Sequence, residues 1–454
     1  MPNPTILTNW SKSALSSCVL YQARDISGIG RALSIAREQR LSVIPHGAGH
    51  SYTDAALNSG GVVIDVTPMR RILSWDAALG IMRVEPGVTL GEMARAAWGD
   101  GWWPAVLPST PVVTAGGSAA MNVNGRNAWK CGPFGDFILA LEVLLVSGEV
   151  ITLEAERDAQ LLHAFVGGLG LLGIITSMTV QLQRINSGYV SVWKRPAGSI
   201  GDLVALFGEE APRSDFMEGW LDGFATGKQL GRGHITCAAL SPAGKFRPLP
   251  RPARPDYPWI TLGARAAQPA LLPGAPMVNR VNGWLSRGTA KSRRPLWPYT
   301  FWPPAAFAGY HAMLPQGVET FQAFVPAQHA SEIFKQVLAY SQGHDCLPVW
   351  CVIKQHRSDP YLLSYQVDGF SLELNYPRTA GNAQALQQTL QRMIAMVIEA
   401  GGKFYLAKDH FLTHAQYRRS VGDAAIDAFL DLKSHYDPDG LLQSDLFRRV
   451  LQPV

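Results

Sequence analysis

The segment that most constrains this 454-residue chain is Pro45-His46-Gly47-Ala48-Gly49-His50-Ser51-Tyr52-Thr53-Asp54. It lies between two short apolar runs, 41–44 and 61–66, each with the length and composition of a strand. A glycine-containing turn that leaves a strand exposes backbone N–H groups, and such a nest suits a pyrophosphate. The G-x-G-x-x-G spacing of a Rossmann turn is missing, and no amphipathic helix follows. A tight turn that only needs glycine fits the same residues. His50 tilts the reading toward a ligand, because an imidazole directly after a phosphate-gripping loop has little structural purpose.

A second run, 107–127, carries almost no bulk: Gly116, Gly117, Ser118, Ala119, Ala120 and Gly125 let backbone approach a planar or anionic ligand. Alone it would equally suit a close helix–strand contact. Together the two loops, about sixty residues apart, resemble the two-loop signature of the vanillyl-alcohol-oxidase-type (PCMH-type) FAD-binding fold. Trp10, Gly167-Gly168-Leu169-Gly170, Gly173-Ile174-Ile175, Lys354, the run from Ser371 to Pro377, Tyr405-Leu406-Ala407-Lys408-Asp409 and the closing Asp437-Pro438-Asp439-Gly440 extend the resemblance. They follow the order and spacing of the members that oxidise polyprenylphosphoryl ribose. The likeness covers nearly the whole chain and is weakest over about 190–310.

The resemblance implies an α+β protein: a two-part PCMH-type FAD-binding domain with an inserted α+β substrate-binding cap. The expected division is 1–187 for the FAD domain, 188–402 for the cap, and 403–454 for a segment returning to the FAD domain. The periodicity agrees. Residues 27–40 and 90–98 have helical spacing, 81–85 and 174–182 read as strands, and 139–146 with 149–153 read as a hairpin about Ser147-Gly148. A short helix is expected over 158–166. In the cap, strands are expected at 320–325, 347–354 and 371–376, and a helix at 383–400 with Leu386, Leu390, Met393, Ile394 and Val397 on one face. The stretch 242–304, rich in Pro, Arg and Trp, reads as a long mobile loop or lid.

Composition excludes a disordered chain, with 47% hydrophobic and 17% charged residues. The five cysteines show no even framework and no C-x-x-C spacing, so neither a disulfide set nor a zinc site is expected. No basic-then-apolar leader opens the chain and no run of about eighteen apolar residues interrupts it. The expected location is therefore cytoplasmic, with peripheral contact to the inner face of the membrane. That contact is suggested by charge: between Lys245 and Arg294 ten basic residues face one acid, Asp256. Polybasic, Trp-bearing segments approach anionic bilayers, although a solvated loop would have the same composition. The basic residues occur in one proline-broken stretch without a recognition module, so nucleic-acid binding is not expected.

Oxidising an alcohol on a flavin requires hydride transfer to the flavin, removal of the hydroxyl proton, and positive charge beside the reduced cofactor. The resemblance assigns the last role, and a share of the second, to Lys408. It places Gln322 and Lys354 in the substrate pocket, and Glu373 where the ribose oxidases carry a cysteine. A carboxylate there is a candidate general base; pairing with Lys354 is the favoured structural alternative. FAD contacts are implied for His46, Gly47, Ala48, Gly49, His50, Ser51, Tyr52, Asp54, Ser109, Thr114, Gly116, Gly117, Ser118, Asn124, Gly125, Asn127, Ile174 and Tyr405. His50 departs from the ribose oxidases, which resemble arginine there and hold FAD without a covalent bond. Many other members carry a histidine at this point as the 8α-linkage site, so covalent FAD through His50 is one expectation and a simple hydrogen bond the other. Asn124 replaces a histidine of the ribose oxidases.

The leading expectation is FAD-dependent oxidation of the ribose 2′-hydroxyl of a polyprenylphosphoryl-β-D-ribose. The 2′-keto product would pass to a short-chain reductase that completes epimerisation to arabinose. A soluble alditol, aldonolactone or carbohydrate oxidase using O₂ is the alternative, favoured by His50. A flavin-binding scaffold without turnover is a third, opposed by Lys408.

Overall fold

The computed structural model describes residues 4–250, 258–286 and 290–452. The chain opens with β1 (Thr5–Thr8), β2 (Leu15–Gln22), β3 (Val43–His46) and β4 (Val62–Asp65), in the spatial order β1-β2-β4-β3. Both β2 and β3 run parallel to β4. The helix Ile26–Glu38 is the crossover between β2 and β3, which run parallel on either side of β4. Asp25 caps that helix by accepting from the Gly28 N–H at 2.7 Å, and Ile29, Ala32, Leu33 and Ala36 are buried. The strand–loop–strand expected around the first motif is therefore a parallel pair, and the loop leaves from the end of β3.

Seven further strands follow: β5 (Ile72–Asp76), β6 (Ile81–Val84), β7 (Trp102–Trp103), β8 (Ile138–Leu144), β9 (Val150–Glu154), β10 (Ile174–Gln181) and β11 (Gln183–Arg184). Five of them form an antiparallel sheet in the order β5-β6-β10-β8-β9, while β7 pairs with β11. The hairpin about Ser147-Gly148 is β8–β9, with Gly148 at φ +95°. The helix Leu90–Trp98 begins with a capping box between Thr89 and Glu92.

Eight strands build the other large sheet: β12 (Tyr189–Ala197), β13 (Phe216–Leu221), β14 (Gly233–Leu240), β15 (Ser292–Pro295), β16 (Val318–Pro326), β17 (Trp350–His356), β18 (Gly369–Pro377) and β19 (Lys403–Phe404). Their order is β15-β12-β14-β13-β17-β18-β16-β19, antiparallel throughout. Helices Ile200–Glu210, Ala327–Gly343 and Ala383–Glu399 bury Leu203, Phe207, Phe334, Val337, Leu390 and Met393. The chain end turns back to the first sheet, where the Val43 N–H donates to Leu441 O at 2.7 Å and the Gln443 N–H to Val43 O at 2.9 Å.

The stretch 242–304 departs from the expected loop. It holds the helix Pro258–Leu285, then β15 and the helix Leu296–Thr300. The prolines argue against a helix, yet the fold accommodates them. Pro258 takes a helix start, where its missing N–H costs nothing. Pro269, Pro273 and Pro276 lie inside the helix, against local propensity. What offsets them is tertiary packing: the helix lies against the helix Pro304–Met313, and its Ala275 and Asn279 are buried. Residues 251–257 and 287–289 of the stretch, with Asp256, lie outside the described residues.

Candidate active site

A cavity of about 850 Å³ runs between the two glycine-containing loops, one face of the eight-stranded sheet, and the helices Pro258–Leu285 and Pro304–Met313. Ligand sites commonly hold about 300–1,000 Å³. Its walls include Gly47 to Tyr52, Ser109, Thr114, Gly117, Ser118, Asn124 and Gly125 from the loops, with Gln322, Lys354, Glu373, Tyr405 and Lys408. Most of the residues expected from the sequence therefore meet in one place.

The loops are built to receive a large anionic ligand closely. Among the described residues, the backbone N–H groups of Gly47, Ala48, Gly49, His50 and Ser51 have no hydrogen-bond partner within the protein. Such a run of unpaired donors needs an anion or water. A Cβ on Gly47 would lie 2.3 Å from the Thr114 hydroxyl, so the two loops touch only because that residue is glycine. Gly49 has φ +66°, a conformation that favours glycine. Thr114 in turn caps the helix Ala115–Ala120 by accepting from the Gly117 N–H at 3.3 Å. These features fit FAD: unpaired amides for the pyrophosphate, and small residues along the second loop for the rest of the cofactor.

Five expected FAD contacts do not line the cavity. The His46 ring lies 3.1 Å from Ala56 O, Asn127 donates to Ala105 O at 2.7 Å, and Gly116 packs on Pro86. Asp54 holds Arg449 through two bonds of 2.7 and 3.0 Å. Ile174 is a core side chain beneath the first sheet. The first four shape or tie the loops and leave contact with a ligand to their neighbours.

At the polar end of the cavity, Lys408 Nζ donates to Glu373 Oε1 at 3.1 Å and stands 3.5 Å from the centre of the Tyr52 ring. The expected Glu373–Lys354 pair is thus replaced by Glu373–Lys408. The reason is local: the Tyr52 N–H donates to Ala407 O at 2.8 Å and Thr53 Oγ1 to Leu406 O at 2.7 Å. These bonds bring 406–408 against the first loop. Burial disfavours ionisation of Glu373, but the charges of Lys408 and Lys354, with hydrogen bonds from Lys408 and Asn375, outweigh it and hold the carboxyl below its usual range. Burial and Glu373 push the Tyr52 phenol well up, so it stays neutral. Gln322 is 2% exposed, and its Oε1 has no partner.

His50 reaches the cavity from the other side of the first loop. Burial, reinforced by His311, pulls its imidazole down to about 4. A ring of aromatics surrounds it: Trp10 lies 6.4 Å from His50, 4.5 Å from Tyr52 and 5.6 Å from Tyr310. The Tyr405 ring lies tilted 4.2 Å from Tyr365, whose hydroxyl accepts from Asn124 at 3.1 Å and donates to Asn122 O at 2.6 Å.

Residues 19–154 match the model of an FAD binding domain. The chain is 30% identical to decaprenylphosphoryl-β-D-ribose oxidase of Mycolicibacterium smegmatis, over 98% of this chain and 97% of the relative. The chain belongs to the vanillyl-alcohol-oxidase-type FAD-binding oxidoreductases. Shorter matches reach a D-lactate dehydrogenase of Anaerostipes hadrus, at 31% over 36% of each chain. A cytokinin dehydrogenase 2 of Oryza sativa subsp. japonica is 31% identical over 37% of this chain and 31% of its own. As a member of this family, the protein is an FAD-dependent oxidoreductase acting on alcohol groups.

Several cavity residues escaped the sequence reading. Arg126 follows the small-residue run, while Glu218, Trp302, Tyr310, Trp350 and Asn375 come from scattered strands and helices. Only Arg126 carried a local signal, its place directly after Gly125. Glu218, Trp350 and Asn375 are brought in by sheet register, and Trp302 and Tyr310 by the helix Pro304–Met313 and the residues just before it. Gln322 pairs with Glu373, Glu373 with Val352, and Asn375 with Trp350, so alternate residues of β16, β17 and β18 face the cavity.

Proposed function

We propose that the protein oxidises the ribose 2′-hydroxyl of a polyprenylphosphoryl-β-D-ribose to the 2′-keto intermediate of an epimerisation to arabinose. The observation that carries the reading is the division of the cavity. Its inner wall is polar, with the charged Lys408, Glu373 and Lys354 and the neutral Gln322. Its outer wall is apolar, with Ile260, Val278, Met313 and Trp302 from or beside the two covering helices. An amphiphile with a sugar head and a hydrocarbon tail has this division; a free alditol does not. The end-to-end similarity to a decaprenylphosphoryl-ribose oxidase supports it.

Bound FAD supplies the hydride acceptor. The proposed roles of the chain's own groups follow from their states. Glu373, kept ionised, is the base that takes the hydroxyl proton. Lys408 holds Glu373 in place and puts positive charge on the cofactor side of the cavity. The buried Gln322 Oε1 accepts from a second sugar hydroxyl. The expected division at 187/188 and 402/403 assigns cofactor binding to the first two sheets and the chain end, and substrate choice to the eight-stranded sheet.

No described helix is long and apolar enough to cross a membrane. Access to a lipid-linked substrate is assigned to the helix Pro258–Leu285, whose outward Trp259, Leu262 and Met277 are 82%, 59% and 71% exposed. A short-chain reductase is the proposed consumer of the keto product.

Product analysis tests the reaction. Quenching turnover with borodeuteride should give ribose and arabinose labelled at C2; label at any other carbon, or none, would contradict it. The alternative, an O₂-using alditol or lactone oxidase, rests on His50 and would show label from small polyols instead.

A further inference from the structure

One wall of the cavity carries an alternating row of charge. Arg126 Nε lies 3.3 Å from Glu218 Oε2, and Lys408 is paired with Glu373 at 3.1 Å. Both pairs are largely buried. Lys354 stands between the two carboxylates. On one side it belongs to β17, next to β18, and its charge helps keep Glu373 ionised. On the other, β13 pairs Gly219 with Ile353 and Trp220 with Val352. The same antiparallel register, extended by one residue, sets Glu218 beside Lys354. Among the described residues the Lys354 side chain makes no ion pair and no hydrogen bond. The wall therefore has three cations against two carboxylates, and Lys354 is the cation left uncommitted.

We propose that Lys354 forms a subsite for a single negative charge, and that the Arg126–Glu218 pair limits it to one. Resting on the reading above, this identifies the phosphodiester as what the cap selects. Arg126 is held away from the subsite's charge by Glu218, by a 2.8 Å bond to Tyr299 O, and by its place over the Tyr299 ring. Glu218 at the same time faces any second negative charge with repulsion. A phosphodiester brings one charge. A phosphomonoester brings about 1.5 to 2 near pH 7, and in a cavity shielded from bulk water the excess is costly. The unpartnered, buried Gln322 Oε1 lies along the same face and accepts from a hydroxyl, so the subsite suits an anion joined to a polyol.

The test uses FAD-loaded protein without turnover and two probes, methyl geranyl phosphate with one charge and geranyl phosphate with up to two. Binding is read by calorimetry and by the shift of the flavin spectrum, with FAD content and melting temperature as controls on folding. Wild-type protein should bind the diester at least about tenfold more tightly than the monoester. Loss of a charge-assisted contact in Lys354→Met should weaken the diester about tenfold or more. Glu218→Gln, which releases the Arg126 charge, should narrow or reverse the preference. Equal binding of both probes by the wild type, an unchanged diester affinity in Lys354→Met, or an unchanged ratio in Glu218→Gln would each overturn the proposal. None of these readings depends on which sugar is oxidised. A failed oxidation of polyprenylphosphoryl ribose therefore counts against the proposed function alone.

Discussion

Lys408 and Glu373 form a contact between two segments that sequence alone leaves 35 residues apart. Their pairing shows why Lys408 is more than a surface lysine beside an aspartate. Asp409 turns away and accepts the Phe411 and Leu412 N–H groups at 3.0 and 2.8 Å, while Lys408 points into the cavity. Lys408→Met is expected to keep FAD bound, because the loop amides are untouched, yet to slow flavin reduction by about 10²–10³. Stopped-flow absorbance would show it; reduction at the wild-type rate would return the lysine to a structural role. His50 makes a second prediction at this scale. Its imidazole, pulled down to about 4 by burial and His311, is neutral at pH 7 and free to form a bond to the flavin methyl. Acid-precipitated protein is expected to remain yellow, and His50→Ala to release FAD to the supernatant. Colourless wild-type precipitate would mean that His50 only takes the place of the ribose oxidases' arginine.

Elements of the FAD domain were legible because their signals are local. Spacing gave the helices Ile26–Glu38 and Leu90–Trp98, and Ser147-Gly148 gave the β8–β9 turn. The helix Pro258–Leu285 was illegible, since its stability comes from packing on another helix while its prolines argue the other way. Its geometry makes a prediction that its composition could not. Trp259 and Met277 are 18 residues apart, which is five turns of a regular helix, and both face outward, at 82% and 71% exposure. Ile260 and Val278, one residue on, share the cavity side. The helix carries Arg265 and Arg280 and no acid, and each basic residue near an anionic bilayer contributes about 1 kcal/mol. Trp259→Glu with Met277→Glu should lower co-sedimentation with phosphatidylglycerol vesicles while leaving FAD content unchanged. Equal recovery of variant and wild type would leave this helix as a cavity wall only.

Across the whole molecule, burial of histidine decides how the fold responds to acid. His50 and His311 are pulled down to about 4, and His234 and His356 to about 3, each chiefly by burial. Unfolded histidine titrates near 6.5, so the unfolded chain binds more protons than the folded one below that pH. Stability from these groups is full above about 6.5 and is lost as pH falls toward 4 and 3. Each should cost about 1 kcal/mol between pH 6 and 5. Asp359 works against them: burial raises it to about 6, so its folded form gains protons first. The net loss over that unit of pH is on the order of 3 kcal/mol, visible as a lower urea midpoint. A midpoint that holds or rises from pH 6 to 5 would contradict this balance. The same global view explains what the sequence could not reveal about the site. Glu218 comes beside Lys354, and Asn375 beside Trp350, only through the register of β13, β17 and β18, and register is a property of the closed sheet.

The central claim is that this cavity oxidises a lipid-linked ribose on FAD. Its most direct test is anaerobic: mix the FAD-loaded protein with polyprenylphosphoryl ribose, free alditols and aldonolactones in turn, and follow the flavin absorbance. Bleaching by the lipid-linked ribose, with little or none by the small polyols, is the predicted result. Bleaching by an alditol or lactone while the lipid-linked ribose leaves the flavin oxidised would contradict it.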